Sequence, residues 1–93
     1  MCECCKPLFA FGRVMITPNA QQALTDEDIY VALKRHRAGD WGDLGHADRA
    51  ENELSLREGF RLLSTYTSTA GAKFWVITEA DRSATTVLLP EDY

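Results

Sequence analysis

Four groups of residues in this 93-residue chain are of types that could do chemistry. The first is Cys2-x-Cys4-Cys5, whose thiolates could hold a soft metal or fill three of the four positions of a zinc site. A closed zinc site pairs two such clusters. The chain has no further cysteine, so His36 or His46 would have to complete it. That spacing matches no closed site, and the expectation is no bound metal and no cofactor, with the thiols reduced in a loose tail.

The second group is the twelve-residue stretch Asp40 to Glu51, which lies between two predicted helices like a calcium-binding loop. Asp40, Gly45, Asp48 and Glu51 fit positions one, six, nine and twelve of that motif. Positions three and five require oxygen ligands but hold Gly42 and Leu44. Calcium takes six to eight oxygens, so the loss of two ligands argues for a turn between helices rather than a metal loop.

His36 and His46 form the third group. A histidine is suited to proton transfer near neutral pH, but neither lies beside a serine or cysteine that a motif marks as a nucleophile. The chain also lacks a nucleophile elbow, a phosphate loop and a paired metal-histidine motif. An enzyme is therefore not the expectation, and His46, Asp40 and Asp43 are the residues that would serve if there were one. Trp41, the fourth, stands between acids and glycines. Tryptophan is enriched at interface hot spots, although large aromatic side chains are more often buried.

The elements that must position these residues follow from periodicity. The length is that of one domain, and no apolar run approaches the roughly 18 residues of a membrane helix. Residues 1–7 read as a flexible tail and residues 8–93 as a single α+β domain. Leu8 to Ile16 reads as a strand with a bend at Gly12. Thr17-Pro18 starts a short helix to Leu24, and Thr25 caps a second whose acids come first (Asp26, Glu27, Asp28) and bases last (Lys34 to Arg37). Ile29, Ala32 and Leu33 form its apolar stripe. A third helix runs from His46 to about Glu58, with Ala47, Ala50 and Leu54 as its expected buried face and Gly59 as its stop.

The period then changes to two. Strands are predicted over Phe60 to Thr67, Lys73 to Glu79 and Thr85 to Leu89, separated by turns at Ser68–Gly71 and Asp81–Ser83. The resulting fold class is α+β, an antiparallel sheet of about four strands in the chain order β-α-α-α-β-β-β, with helices packed on one face.

Charge narrows the partners. Asp40, Asp43, Asp48, Glu51, Glu53 and Glu58 against Arg49 and Arg57 equal the whole net charge of −4, so the rest of the chain is balanced. A duplex-DNA binder needs a basic footprint, so direct nucleic-acid binding is disfavoured and a protein partner, a basic one, is favoured. The alternative is single-strand binding through Lys34, Arg35 and Arg37 together with Phe74 or Trp75 on an open sheet face. A homodimer through a sheet edge or an apolar patch is a further arrangement. The start Met1 to Pro7 lacks the basic-then-apolar order of a secretory signal, which implies a cytoplasmic location.

From Phe11 onward the chain resembles a family of small, mostly uncharacterised bacterial proteins carried on plasmids and other mobile elements. The matching stretches are Phe11-Gly-Arg-Val14, Gly39-Asp-Trp-Gly-Asp-Leu44, Ala50-Glu-Asn-Glu-Leu-Ser-Leu56, Gly59-Phe-Arg-Leu-Leu-Ser64, and Trp75-Val-Ile-Thr-Glu-Ala-Asp-Arg-Ser83 through Leu88-Leu-Pro90. The resemblance implies a setting rather than a reaction. Accessory genes of mobile DNA serve maintenance, transfer or evasion of host defence, of anti-CRISPR or anti-restriction type. Combined with the charge map, it implies a non-enzymatic protein-binding domain whose candidate contact residues are Asp40, Trp41, Asp43, Asp48, Glu51 and Glu53. The partner so implied is a basic nucleic-acid-binding complex of the host.

Overall fold

The computed structural model describes residues 8–93. Cys2, Cys4 and Cys5, and the tail expected over residues 1–7, lie outside the described residues. The order is β1 (Arg13–Ile16), α1 (Pro18–Ala23), α2 (Asp26–Arg37), α3 (His46–Glu58), β2 (Leu62–Thr67), β3 (Lys73–Thr78) and β4 (Ala84–Leu88), closed by a 3₁₀ turn, Pro90–Asp92. This is the α+β order that the sequence periodicity predicts.

Local chemistry sets the helix ends. The Thr17 hydroxyl accepts the N–H of Ala20, and Pro18 occupies the first turn of α1, where its missing N–H costs nothing. Thr25 and Asp28 form a reciprocal capping box at α2: the Thr25 hydroxyl accepts Asp28 N–H at 3.0 Å and the Asp28 carboxylate accepts Thr25 N–H at 3.1 Å. A second oxygen of Asp28 accepts the N–H of Thr69, which ties the start of α2 to the β2–β3 turn.

The four strands form one sheet in the order β1-β4-β3-β2. Strands β2, β3 and β4 make an antiparallel meander, with Tyr66 opposite Phe74 and Val76 opposite Val87. The wholly antiparallel sheet expected from the sequence needs one correction: β1 runs parallel to β4, from Arg13 opposite Ala84 to Ile16 opposite Val87. A short turn can join only antiparallel neighbours, and the crossover between β1 and β4 consists of all the intervening elements. β1 is also shorter than Leu8 to Ile16. Gly12 sits at φ +67°, and a Cβ there would collide with the carbonyl of Ser83, so the chain bends against the β3–β4 turn before pairing begins.

Side chains alternate across the sheet. Tyr66, Phe74, Val76 and Val87 point to the face covered by α1 and α2, where they meet Ala20, Leu24, Ile29 and Ala32 in the main core. Of the predicted α2 stripe, Ile29 and Ala32 are buried and Leu33 is packed against their cluster. On the opposite face Trp75 packs edge-on against Tyr93, with ring centroids 5.5 Å apart, and Arg61 donates to the Tyr93 hydroxyl at 2.6 Å.

α3 is placed differently from the other helices. It runs beside the free edge of β2, and its inward residues are Asn52 and Ser55, with Leu56 against a second small core of Trp41, Leu44 and Leu62. The predicted face of Ala47, Ala50 and Leu54 is not the buried one, since Ala47 and Ala50 are exposed. The reason is that a strand edge presents N–H and C=O groups rather than an apolar surface, so the helix meets it with an amide and a hydroxyl.

Candidate functional site

The acidic stretch is built on the β2 edge. The segment Trp41–Asp43 lies alongside β2 as a fifth, one-bridge strand. Thr65 N–H donates to the Trp41 carbonyl at 3.2 Å, and Asp43 N–H donates to the Thr65 carbonyl at 2.8 Å. Gly42 makes this approach possible. It holds φ +74°, and a Cβ would strike the Thr65 carbonyl and the Tyr66 ring. Two residues earlier on β2, Asn52 takes over from the loop by bonding both main-chain groups of Leu63.

The six candidate contact residues fall into two groups. Trp41 is 1% exposed. It anchors the second core, and its indole N–H donates to the Glu53 carboxylate at 3.1 Å. It is thus a packing residue that also orients an acid on α3. Asp40 accepts two hydrogen bonds from the Arg35 guanidinium, at 2.7 and 3.2 Å, which hold its carboxyl below the usual range and raise the arginine. Asp43 accepts from the Thr67 hydroxyl at 2.9 Å. These residues are committed to local structure.

Asp48 and Glu51, together with Glu58, project from α3 into solvent. Among the described residues the one ion pair is Arg35 with Asp40. Arg49, the nearest base on α3, spends its guanidinium on the carbonyls of Gly42 and Leu44 instead of on a carboxylate. The result is an exposed helix whose acids have no cationic partner. No group of three or more histidine, cysteine or acidic side chains among the described residues could hold a metal ion, so the calcium-like spacing of Asp40 to Glu51 does not gather its ligands.

A serine–histidine contact that the sequence did not signal lies at the centre of the domain. His36 is fully buried, with Nδ1 2.5 Å from the Ser64 hydroxyl and Nε2 2.9 Å from that of Thr78. Proton counting fixes the direction of each bond. Thr85 donates its one hydroxyl proton to the Phe11 carbonyl at 2.8 Å, so Thr78 must donate to Thr85. His36 Nε2–H then donates to Thr78, and Nδ1 accepts from Ser64. A hydroxyl on an imidazole is how a nucleophile is activated, yet Ser64, His36, Thr78 and Thr85 are all at 0% exposure. Phe9, Phe11 and Trp41 pack around the ring at centroid distances of 5.2 to 6.4 Å. No substrate reaches this cluster, and it serves the fold. Burial, with the nearby Arg82 charge adding to it, pushes the His36 imidazolium down to about 3, so the ring is neutral.

Arg82 itself adopts φ +62° at the β3–β4 turn. It donates to the carbonyls of Phe60, Glu79 and Ala80, and through its other terminal nitrogen to that of Ser55 near the end of α3. A cation at a helix C-terminus complements the macrodipole and fixes α3 against the turn. The turn predicted over Asp81–Ser83 thus reaches α3 as well, through Arg82.

Three of the residues named for single-strand binding make contacts within the domain. Phe74 is buried, Trp75 meets Tyr93, and the Arg35 guanidinium stacks 4.8 Å over the Tyr66 ring. A groove of about 230 Å³ lies between α2 and the β2–β3 turn, lined by Asp28, Val31, Arg35 and Tyr66 among others. Of its three charged lining residues, Glu27, Asp28 and Arg35, the last two are engaged, Asp28 by main-chain N–H groups of Thr25 and Thr69, and Arg35 by Asp40. No helix among the described residues is long and apolar enough to cross a membrane. No protein-family model matches the chain, and no curated protein or solved structure is similar to it.

Proposed function

We propose that this domain is a non-enzymatic binding protein that presents the acidic outer face of α3 to a basic protein surface. The observation that carries this reading is the unneutralised state of that helix. Asp48, Glu51 and Glu58 are exposed without cationic partners among the described residues, while Arg49 is withdrawn into the loop. Carboxylates regularly spaced along a rigid helix match a groove that binds a phosphate backbone, through charge complementarity. The resemblance to accessory proteins of mobile elements supplies the setting, in which the partner is a nucleic-acid-binding defence complex of the host, of CRISPR or restriction type. The supporting rigidity comes from the Asn52 clasp and from Arg82, which together hold α3 against one edge of the sheet.

The test is interference against an invading plasmid in cells that express the protein beside an active CRISPR or restriction system. The expected result is protection of the invader, lost when Asp48, Glu51 and Glu58 are all changed to Lys and kept when Glu27 and Glu91 are changed instead. Undiminished interference in the presence of the wild-type protein would count against the defence target. Protection that survives the triple change would count against the acidic face.

A further inference from the structure

The two edges of the sheet are treated in opposite ways. The β2 edge is closed by Asn52 and the Trp41–Asp43 segment, as described above. Among the described residues nothing closes the β1 edge. All four residues of β1 are exposed, and Val14, Met15 and Ile16 are 42, 42 and 37% exposed. An open edge carrying apolar side chains is a template for another strand.

The hydrogen-bond parity of β1 says what that strand must offer. Arg13 N–H donates to the Ser83 carbonyl and Thr17 N–H to that of Val87, so the odd-numbered residues turn their main-chain groups toward β4. Val14 and Ile16 therefore turn theirs outward. We infer that this edge pairs with β1 of a second copy, antiparallel about a two-fold axis through Met15.

In that register Val14 faces Ile16 of the other copy, and each outward N–H and C=O finds a partner, giving four hydrogen bonds. Val14 and Ile16 of both copies share the sheet face that carries Thr85 and Val87. The two Met15 side chains meet on the other. Charge completes the match. Arg13, which has no ion-pair partner among the described residues, comes opposite Thr17 of the second copy. The Thr17 hydroxyl donates to Asp92 at 2.6 Å, and Asp92 likewise has no cationic partner among the described residues. The two-fold axis thus sets Arg13 beside Asp92 twice. The product is a continuous eight-stranded sheet with α3 at each outer end, so this inference is independent of the acidic-face reading.

Four residues of edge make a small interface, and the dimer dissociates at concentrations on the order of 10 µM. Sedimentation of the full chain from 1 µM to 1 mM reads this directly, with far-UV circular dichroism as the check on folding. Val14→Pro removes an N–H that is turned away from β4 and makes no bond among the described residues, so the expected result is a folded monomer. The pair Val14→Lys and Ile16→Lys, which leaves the main chain intact, gives the same result by placing like charges across the axis. Arg13→Glu raises the dissociation constant about three- to tenfold. A wild-type chain that stays monomeric to 1 mM overturns the proposal. So does a dimer whose dissociation constant is unchanged in both edge variants.

Discussion

Asn52 satisfies both main-chain groups of Leu63, its Nδ2 donating to the carbonyl at 2.5 Å and its Oδ1 accepting the N–H at 3.2 Å. A helix side chain thereby completes a strand edge, in the place where another strand would pair. Asn52→Ala leaves two partly buried main-chain groups unpartnered. The expected loss is about 2–3 kcal/mol, measured by urea unfolding at pH 7. Asn52→Asp keeps an acceptor for the N–H but sets a carboxylate against the carbonyl, and is expected to be no better than alanine.

Stability should fall with pH in a window that belongs to His36. Its folded value is depressed to about 3 from an ordinary 6.5. Above about 6.5 both folded and unfolded chains hold the neutral ring and the group adds no pH dependence. Below it the unfolded chain takes up a proton that the folded chain refuses, so stability drops by up to about 1.4 kcal/mol per pH unit. The carboxylates held low, Asp28 by the Thr25 N–H, Asp40 by Arg35, Asp81 by Ser83 and Asp92 by the Thr17 hydroxyl, act in the same direction but only as pH approaches and passes below their ordinary 3.8. Urea midpoints between pH 7 and 4.5 therefore report mainly His36. His36→Gln should be less stable at pH 7 and should lose most of that slope.

The two tryptophans should separate cleanly in fluorescence. With Trp75→Phe, the remaining emission comes from Trp41, which is 1% exposed, and it should be blue-shifted and nearly insensitive to iodide. With Trp41→Phe, the half-buried Trp75 should be quenched. The second variant also removes the indole bond to the Glu53 carboxylate and opens the small core, at a cost of about 2–4 kcal/mol in thermal or urea unfolding.

Two glycines three residues apart should behave oppositely. Gly42→Ala forces a Cβ against the Thr65 carbonyl at a positive φ, and is expected to cost several kcal/mol, about 3 or more. Gly45 sits at the N-cap of α3 with open space around it and no side-chain cap. Gly45→Ser supplies the missing acceptor and should stabilise by a few tenths of a kcal/mol, about 0.3. Thermal melts of the two variants check both signs.

The legible parts of the fold were those dictated by neighbours in sequence. The Thr25 cap, the acid-to-base order of α2, the Gly59 stop and the period-two meander all arise within a few residues of where they act. What the sequence does not display is pairing at a distance. Parallel docking of β1 on β4 is decided by which edge is left open after the meander forms. The inward face of α3 defies hydrophobic patterning, because Asn52 and Ser55 are polar residues recruited by a strand edge. His36 read as one of four basic residues at the end of α2, yet its hydrogen-bond partners are Ser64 and Thr78, 28 and 42 residues away. Trp41 was divided between core and contact surface, and its burial beside Leu44 and Leu62 follows from the Gly42 approach to Thr65.

The ends of the described chain meet: Thr17 bonds Asp92 across 75 residues, and Thr85 bonds the carbonyl of Phe11 across 74. On a ribosome the first strand is synthesised long before the strand that receives it. β1 must therefore wait, unpaired, until β4 has emerged from the exit tunnel. The rate of folding is governed by closing that long loop. Loss of even the final few residues would loosen the beginning of the chain, because Asp92 is a fastening for Thr17 and Asn19 as well as the end of a turn.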